Sequence, residues 1–246
     1  MSAELEGSVA IVTGAAGGLG RAIVALLRER GAQVVAEDLD PAVEELAADG
    51  VAPLVGDVTD PDTPRAAVAL ARERFGTPDV LVNNAARFLL KPTGETTVAE
   101  WDLLMATNVR GAFLHAREAL PALRESGDGR IVNIASISGL VGLDAQTAYC
   151  TTKGAIVQLT RQLAIEHAPT VRVNAVAPGA IDTPFMDPVR ALPDAEETMK
   201  AIAASHPLGR IAAPDEVAEV VAFLASTRSR IVTGAIVAAD GGFTAQ

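Results

Sequence analysis

Cysteine, tyrosine and tryptophan each occur once in 246 residues. Cys150 alone cannot close an internal disulfide, so a cross-linked secreted scaffold is excluded. Three scattered histidines, His115, His167 and His206, offer no zinc-ligand spacing, so no metal is expected and none of the three is assigned to catalysis. Aromatic residues make up only 3%, which leaves Ala, Val, Leu and Ile to fill the core. That filling suits parallel strands covered by helices on both faces. Basic residues are outnumbered 20 to 31, for a net charge of -11. A nucleic-acid groove and an anionic membrane surface are therefore poor candidates for the main partner. A phosphate ligand is not excluded, because backbone N–H groups at a helix start hold phosphate without Lys or Arg. The opening MSAELEGSVA has no basic region and no long apolar run, so no signal peptide or membrane span is expected and the cytoplasm is the expected compartment.

What is present reads as one α/β domain over residues 1–246, a Rossmann-like doubly wound fold with a seven-stranded parallel sheet. The composition, 49% hydrophobic and 21% charged, is that of a folded chain. Apolar, β-rich runs stand at Val9–Val12, Val34–Ala36, Ala52–Val55, Val80–Val82, Ile131–Ile134, Val171–Val176 and Ile236–Ala238. Helical spacing fills most of the gaps: Leu19–Arg30 closing at Gly31, Asp62–Phe75 opened by Asp60-Pro61, Ala99–Glu125, Ala148–His167 and Pro214–Ala225. Such alternation predicts helices on both faces of a parallel sheet. Residues 181–210 break the rhythm, with prolines at 184, 188, 193 and 207 and a short helical patch near Ala195–Ala204. An insertion of that length between an inner strand and the last helix predicts a lid or substrate loop.

TGAAGGLG, residues 13 to 20, follows the first strand and opens a helix. Gly14, Gly18 and Gly20 permit a tight turn and a close approach of a dinucleotide pyrophosphate to the helix N-terminus. The spacing is G-x-x-x-G-x-G, and a glycine cluster alone can also be a plain flexible turn. The second strand ends in Glu37-Asp38, and an acid there accepts hydrogen bonds from adenosine ribose hydroxyls and repels a 2′-phosphate. Asp38 is the better placed of the two. No Arg or Lys in the glycine loop or just after this strand offsets it, so the chemistry favours NAD over NADP.

The lone Tyr149 stands four residues before Lys153, one helical turn apart on one face. A nearby ammonium is expected to lower a phenol from its free pKa of about 10. A phenol so tuned takes a proton from an alcohol or returns one to a carbonyl. Such pairs also arise by chance, but this one opens the helix after the fifth strand, whose carboxyl end carries Ser136. Ligands of open parallel sheets sit beyond those ends, where a serine hydroxyl can hydrogen-bond a substrate oxygen.

Taken together, these motifs resemble the short-chain dehydrogenase/reductase family over nearly the whole chain. TGAAGGLG resembles its T-G-x-x-x-G-x-G loop, with Leu19 inside it. Asp57, followed by Val58, matches the acid that contacts the adenine amine. NNAA at 83–86, with Asn84 and Ala85, resembles N-N-A-G with Ala86 in place of glycine. Asn108 matches the catalytic asparagine, and Ser136, Tyr149 and Lys153 match the serine and Y-x-x-x-K. NAVAPG, ending in Pro178 and Gly179, matches the turn near the nicotinamide, with Ile181 and the carboxamide-contacting Thr183 just beyond. EHAPT before the sixth strand is one residue shorter than usual and touches no matched site residue.

The resemblance implies Tyr149 as general acid/base, Lys153 lowering its pKa and binding the nicotinamide ribose, Ser136 positioning the substrate oxygen, and Asn108 supporting a water that links Lys153 to solvent. It also implies a homotetramer or dimer. Candidate pocket residues are Phe88–Leu90, Ser138 (or the end of a turn), Leu140–Asp144 including Leu143, and Phe185–Met186. Most are apolar, which favours a hydrophobic or alicyclic alcohol or ketone. Trp101 is read as a packing residue, Cys150 as a small core residue rather than a nucleophile, and Arg228 and Arg230 as surface charge. An NADPH-preferring 3-oxoacyl reductase and a non-catalytic nucleotide-binding regulator are the competing expectations.

Overall fold

Alternate residues of the first strand leave in opposite directions. Ala10 and Val12 enter one apolar layer, and Val9 and Ile11 enter another, all of them buried. A strand buried on both faces needs a helix layer on each side. The computed structural model describes residues 4–246 and shows that arrangement. In chain order its elements are β1 (Val9–Thr13), α1 (Gly18–Glu29), β2 (Gln33–Asp38), β3 (Val51–Val55), α2 (Thr63–Arg74), β4 (Val80–Asn83), α3 (Val98–Leu104), α4 (Gly111–Glu125), β5 (Gly129–Ile134), α5 (Thr147–His167), β6 (Val171–Pro178), α6 (Asp187–Arg190), α7 (Ala195–Ser205), α8 (Pro214–Ala225) and β7 (Ile236–Ala239). All seven strands form one parallel sheet in the order β3-β2-β1-β4-β5-β6-β7. Helices α1 and α8 cover one face through Ile23, Leu27, Val217 and Val221. Helices α2, α4 and α5 cover the other through Ala71, Leu123 and Leu163. None of the helices described is long and apolar enough to cross a membrane.

The strand order reverses between β1 and β4, and this creates a crevice at their carboxyl ends. The crevice is stitched across its floor. Asn84, just after β4, donates from Nδ2 to the carbonyls of Thr13 and Gly14, each at 2.9 Å.

Two helix boundaries depart from the sequence expectation. Asp60 accepts the Asp62 N–H at 3.0 Å in a separate turn, and α2 begins only at Thr63-Pro64. The run expected as one helix over Ala99–Glu125 starts at Val98, where Thr97 and Glu100 cap each other's backbone N–H groups. It is then interrupted by a π-helical turn, Met105–Arg110, between α3 and α4. Helical periodicity cannot reveal such a turn, because the widening depends on a partner outside the helix.

Candidate active site

That partner is the backbone of Arg87, just past β4. Asn108, inside the π-helical turn, accepts the Arg87 N–H on Oδ1 at 2.8 Å. Its Nδ2 donates to the Arg87 carbonyl at 2.9 Å and to Thr152 Oγ1 at 3.0 Å. One buried amide thus ties the helix to the loop after β4 and to α5. The contact of Asn108 with the α5 helix is through Thr152, beside Lys153.

Three residues expected to carry chemistry converge here. Ser136 follows β5 and is buried, its hydroxyl accepting the Ser138 N–H at 3.1 Å. Tyr149 and Lys153 are buried on one face of α5, with Lys153 Nζ 5.6 Å from the Tyr149 ring centre. Lys153 donates to the Ile134 carbonyl at 2.7 Å. Burial lowers its pKa to about 8. The Tyr149 phenol departs from expectation. Burial pushes it above its ordinary value, the nearby Ser136 hydroxyl lowers it, and the Cys150 side chain raises it. Desolvation disfavours the phenolate by more than the neighbouring groups favour it.

All of these open onto one cleft of about 1160 Å³. That exceeds the roughly 300–1,000 Å³ of a single small-molecule pocket and leaves room for two molecules. Its floor is the glycine loop. Gly14 has a φ of +65°, and a Cβ there would lie 2.7 Å from the Cα of Ala85. A Cβ on Gly20 would collide with the Gly14 carbonyl oxygen at 2.0 Å. Helix α1 starts behind Gly17 with no side-chain cap and no acidic residue in its first turn, and Gly18 and Leu19 of that turn line the cleft. These features fit a pyrophosphate. Asp38, Asp57 and Val58 line one end of the cleft. The Asp38 carboxylate takes the Ala16 N–H at 2.8 Å and the Asp40 N–H at 2.9 Å, and a carboxylate has lone pairs left for two hydroxyls. Pro178, Gly179, Ile181 and Thr183 line the other end beside Tyr149 and Lys153. The residues present therefore fit a dinucleotide.

The expected pocket is narrower in composition than its sequence segments. Of Phe88–Leu90 only Phe88 lines the cleft, while Leu89 packs behind it with Trp101 against Leu104, Ala148 and Tyr149. Of Leu140–Asp144 only Leu143 and Asp144 reach it. Ser138 both lines the cleft and bonds to Gln146 Oε1 at 3.0 Å. Phe185 and Met186 also line it. Phe88 meets the Tyr149 ring edge-on at 5.0 Å and Phe185 at 5.6 Å, and Phe185 stands 6.0 Å from Tyr149. Cys150 is half-exposed rather than core, because its face of α5 turns toward Val141 and not the sheet.

Some lining residues escaped sequence reasoning. Arg87 is the one arginine on the cleft wall, and Asp194 and Glu197 come from the α7 region. His206 also lines it. Its Nδ1 donates to the Ile202 carbonyl at 2.7 Å, and its Nε2 accepts the Ala180 N–H at 3.2 Å. A close approach to Gly179, where a Cβ would sit 2.5 Å from Nε2, is the only trace of this contact in the sequence.

Comparisons with known proteins agree with this geometry. Residues 14–244 match the family model described as enoyl-(acyl carrier protein) reductase. The chain is 44% identical to cis-4-hydroxycyclohexanecarboxylate dehydrogenase of Sinomonas cyclohexanicum, over 96% of each chain. It is 38% identical to the 3-oxoacyl-(acyl-carrier-protein) reductase of Thermotoga maritima, over 97% of this chain and 98% of that one. Among solved structures, the ligand-free aldohexose dehydrogenase of Thermoplasma acidophilum superposes with a TM-score of 0.93 at 32% identity, covering 100% of this chain and 97% of the other. A doubly wound sheet, a glycine cradle with a Ser-Tyr-Lys set at one cleft, and likeness along the full length lead to one conclusion: the chain belongs to the short-chain dehydrogenase/reductase family, oxidoreductases that work with a nicotinamide cofactor.

Proposed function

We propose that the protein is an NAD-dependent dehydrogenase acting on a secondary alcohol, or the matching ketone, with a hydrophobic or alicyclic body. The observation that carries this reading is the convergence of Ser136, Tyr149 and Lys153 on one cleft floored by a glycine cradle. A bound nicotinamide would supply the hydride acceptor or donor. The protein's own residues handle the proton. Tyr149 Oη takes it from the substrate hydroxyl during oxidation, and Ser136 Oγ hydrogen-bonds the substrate oxygen as its charge changes. Lys153 binds the ribose beside Tyr149, and its ammonium offsets the burial that holds the phenol neutral. Asn108 supports a water by which Lys153 exchanges the proton with solvent. Residues 181–210 act as the lid.

The choice of NAD rests on Asp38 at the cleft end where a 2′-phosphate would sit. An apolar substrate is supported by the cluster of Phe88, Phe185, Leu143 and Met186 around Tyr149. A narrower reading, an alicyclic hydroxy acid, gains support from the 44% relative and from Arg87 in the cleft wall. Asp144, Asp194 and Glu197, which also line the cleft, count against a bulky anionic carrier, and so against the 3-oxoacyl reductase reading. The proposal extends to a homotetramer in the cytoplasm. Exposed Phe113 on α4 and Ile165 on α5, 45% and 79% accessible, support subunit contacts there, to be checked by light scattering.

The deciding experiment is NADH formation from NAD with alicyclic alcohols, hydroxycyclohexanecarboxylates, aldohexoses and 3-hydroxyacyl thioesters, run on wild type and Tyr149→Phe. Turnover of an alicyclic alcohol that falls at least a hundredfold in the variant is expected. Equal rates in both proteins would overturn the assignment of Tyr149.

A further inference from the structure

Glu37 and His115 are both buried, Glu37 with no exposed surface and His115 with 2%. Neither belongs to the cleft wall or to the proton path above. The His115 Nε2 lies 2.9 and 3.0 Å from the two Glu37 carboxyl oxygens. Its Nδ1 lies 2.9 Å from the Gly111 carbonyl, which can only accept, so Nδ1 carries a hydrogen. A second proton must then lie between Nε2 and Glu37, since a bare nitrogen lone pair would otherwise face a carboxylate. The pair thus shares one proton and is neutral as a unit. The raised His115 pKa agrees: burial alone would lower it, and the Glu37 hydrogen bond and charge outweigh that.

The surroundings show what the pair holds. The Glu37 carbonyl accepts the Ala15 N–H at 2.9 Å, and the adjoining Asp38 carboxylate accepts the Ala16 N–H at 2.8 Å. Two successive amides of the glycine loop are therefore tied to two successive residues of β2. On the other side, Gly111 packs on Val58 so closely that a Cβ would sit 3.0 Å from Val58 Cγ2. The pair runs from the β2 end, beneath Asp38, to the α4 start that supports Val58. A buried ion pair is a poor source of net stability, but its directional hydrogen bonds can fix one arrangement among several.

We propose that Glu37 and His115 form a positioning strut for the adenosine half of the dinucleotide, holding Asp38 against Val58 so that the site discriminates NAD from NADP. This rests on the cofactor reading above. By sharing a proton, the strut also leaves Asp38 as the charge presented to the ribose rather than one of two adjoining carboxylates.

The test measures NAD and NADP dissociation constants by calorimetry, alongside kcat, KM and the melting temperature of the ligand-free protein. Glu37→Ala should weaken NAD roughly tenfold and NADP little, narrowing the discrimination between them, with kcat within about twofold of wild type. Glu37→Gln should restore NAD affinity to within about twofold, because its amide N–H can donate to the Nε2 of a neutral His115 while Nδ1 keeps its bond to Gly111. If Glu37→Ala does not fold, the doubly apolar Glu37→Leu/His115→Leu leaves no orphaned charge and should show the same loss. A folded Glu37→Ala or doubly apolar variant that keeps its NAD-to-NADP ratio, or loses both ligands equally, overturns the strut, as does a folded Glu37→Gln that loses NAD as Glu37→Ala does. Wild type that binds NADP more tightly overturns the NAD reading instead, and the strut is then judged by whether the ratio still shifts in the variants.

Discussion

Gly18 and Thr183 touch with no room for a methyl group: a Cβ on Gly18 would lie 2.8 Å from Thr183 Cγ2. The first turn of α1 thus packs directly on the start of residues 181–210, which joins the glycine loop to the proposed lid. Gly18→Ala should raise the KM for NAD about tenfold while leaving the melting temperature within a few degrees. Gly17→Ala is the control, since its Cβ would meet only the Gly14 carbonyl oxygen at an ordinary 3.5 Å. Equal effects from the two substitutions would show that the contact with Thr183 does not matter.

Lys153 makes stability depend on pH. Its pKa is about 8 in the folded protein against 10.5 in the unfolded chain, so between those values the unfolded state holds the extra proton. Stability therefore rises with pH across this window. The raised Tyr149 phenol stays protonated in both states until its ordinary value of 10, so it does not oppose the trend below that. Relative to Lys153→Met, wild type should gain about 2 kcal/mol between pH 8 and pH 10, at about 1.4 kcal/mol per pH unit for one proton. Urea unfolding of both proteins at several pH values measures this, and a constant gap would contradict it.

Ser136 offers a separation of binding from chemistry. On the proposed mechanism, Ser136→Ala removes the hydroxyl that would bond the substrate oxygen, and it leaves the glycine cradle untouched. A drop in kcat of roughly a hundredfold or more is expected, with the NAD dissociation constant unchanged. Parallel losses in both would mean that the serine mainly secures the Ser138 turn.

Phe185 is 39% exposed and leans on both Phe88 and Tyr149. Phe185→Ala should raise the KM for apolar alcohols about fivefold to tenfold, the worth of one aromatic contact of ~1 kcal/mol or a little more. The melting temperature should barely move, because the ring is not part of the main core. Unchanged KM values across a series of alcohols of increasing size would remove Phe185 from the substrate wall.

Much of this architecture was legible in the chain. The alternation of apolar runs and helical spacing contains the seven strands, because a strand buried on both faces must be apolar throughout. Gly14 and Gly20 announce a turn that no side chain could enter, and the interval from Ser136 to Lys153 places three polar groups at one strand end. The π-helical turn at Asn108 was not legible, since it depends on the backbone of Arg87, and that segment lies 21 positions away in sequence. Cys150 illustrates the same limit: periodicity gives a helix face but not what the face turns toward.

Local chemistry and periodicity by themselves determined the doubly wound sheet, the glycine cradle and the Ser-Tyr-Lys set, because each is written in neighbouring residues or a short repeat. Sequence position favoured Asp38 over the adjacent Glu37 for the cleft, but only the tertiary structure decided that Glu37 is claimed by His115. Successive residues of a strand point to opposite faces, and what waits on each face comes from elements far away in sequence. The same holds for Tyr149. Spacing set its lysine one turn away, but the depth of its burial, which raises the phenol's pKa, follows from how the whole chain packs around it.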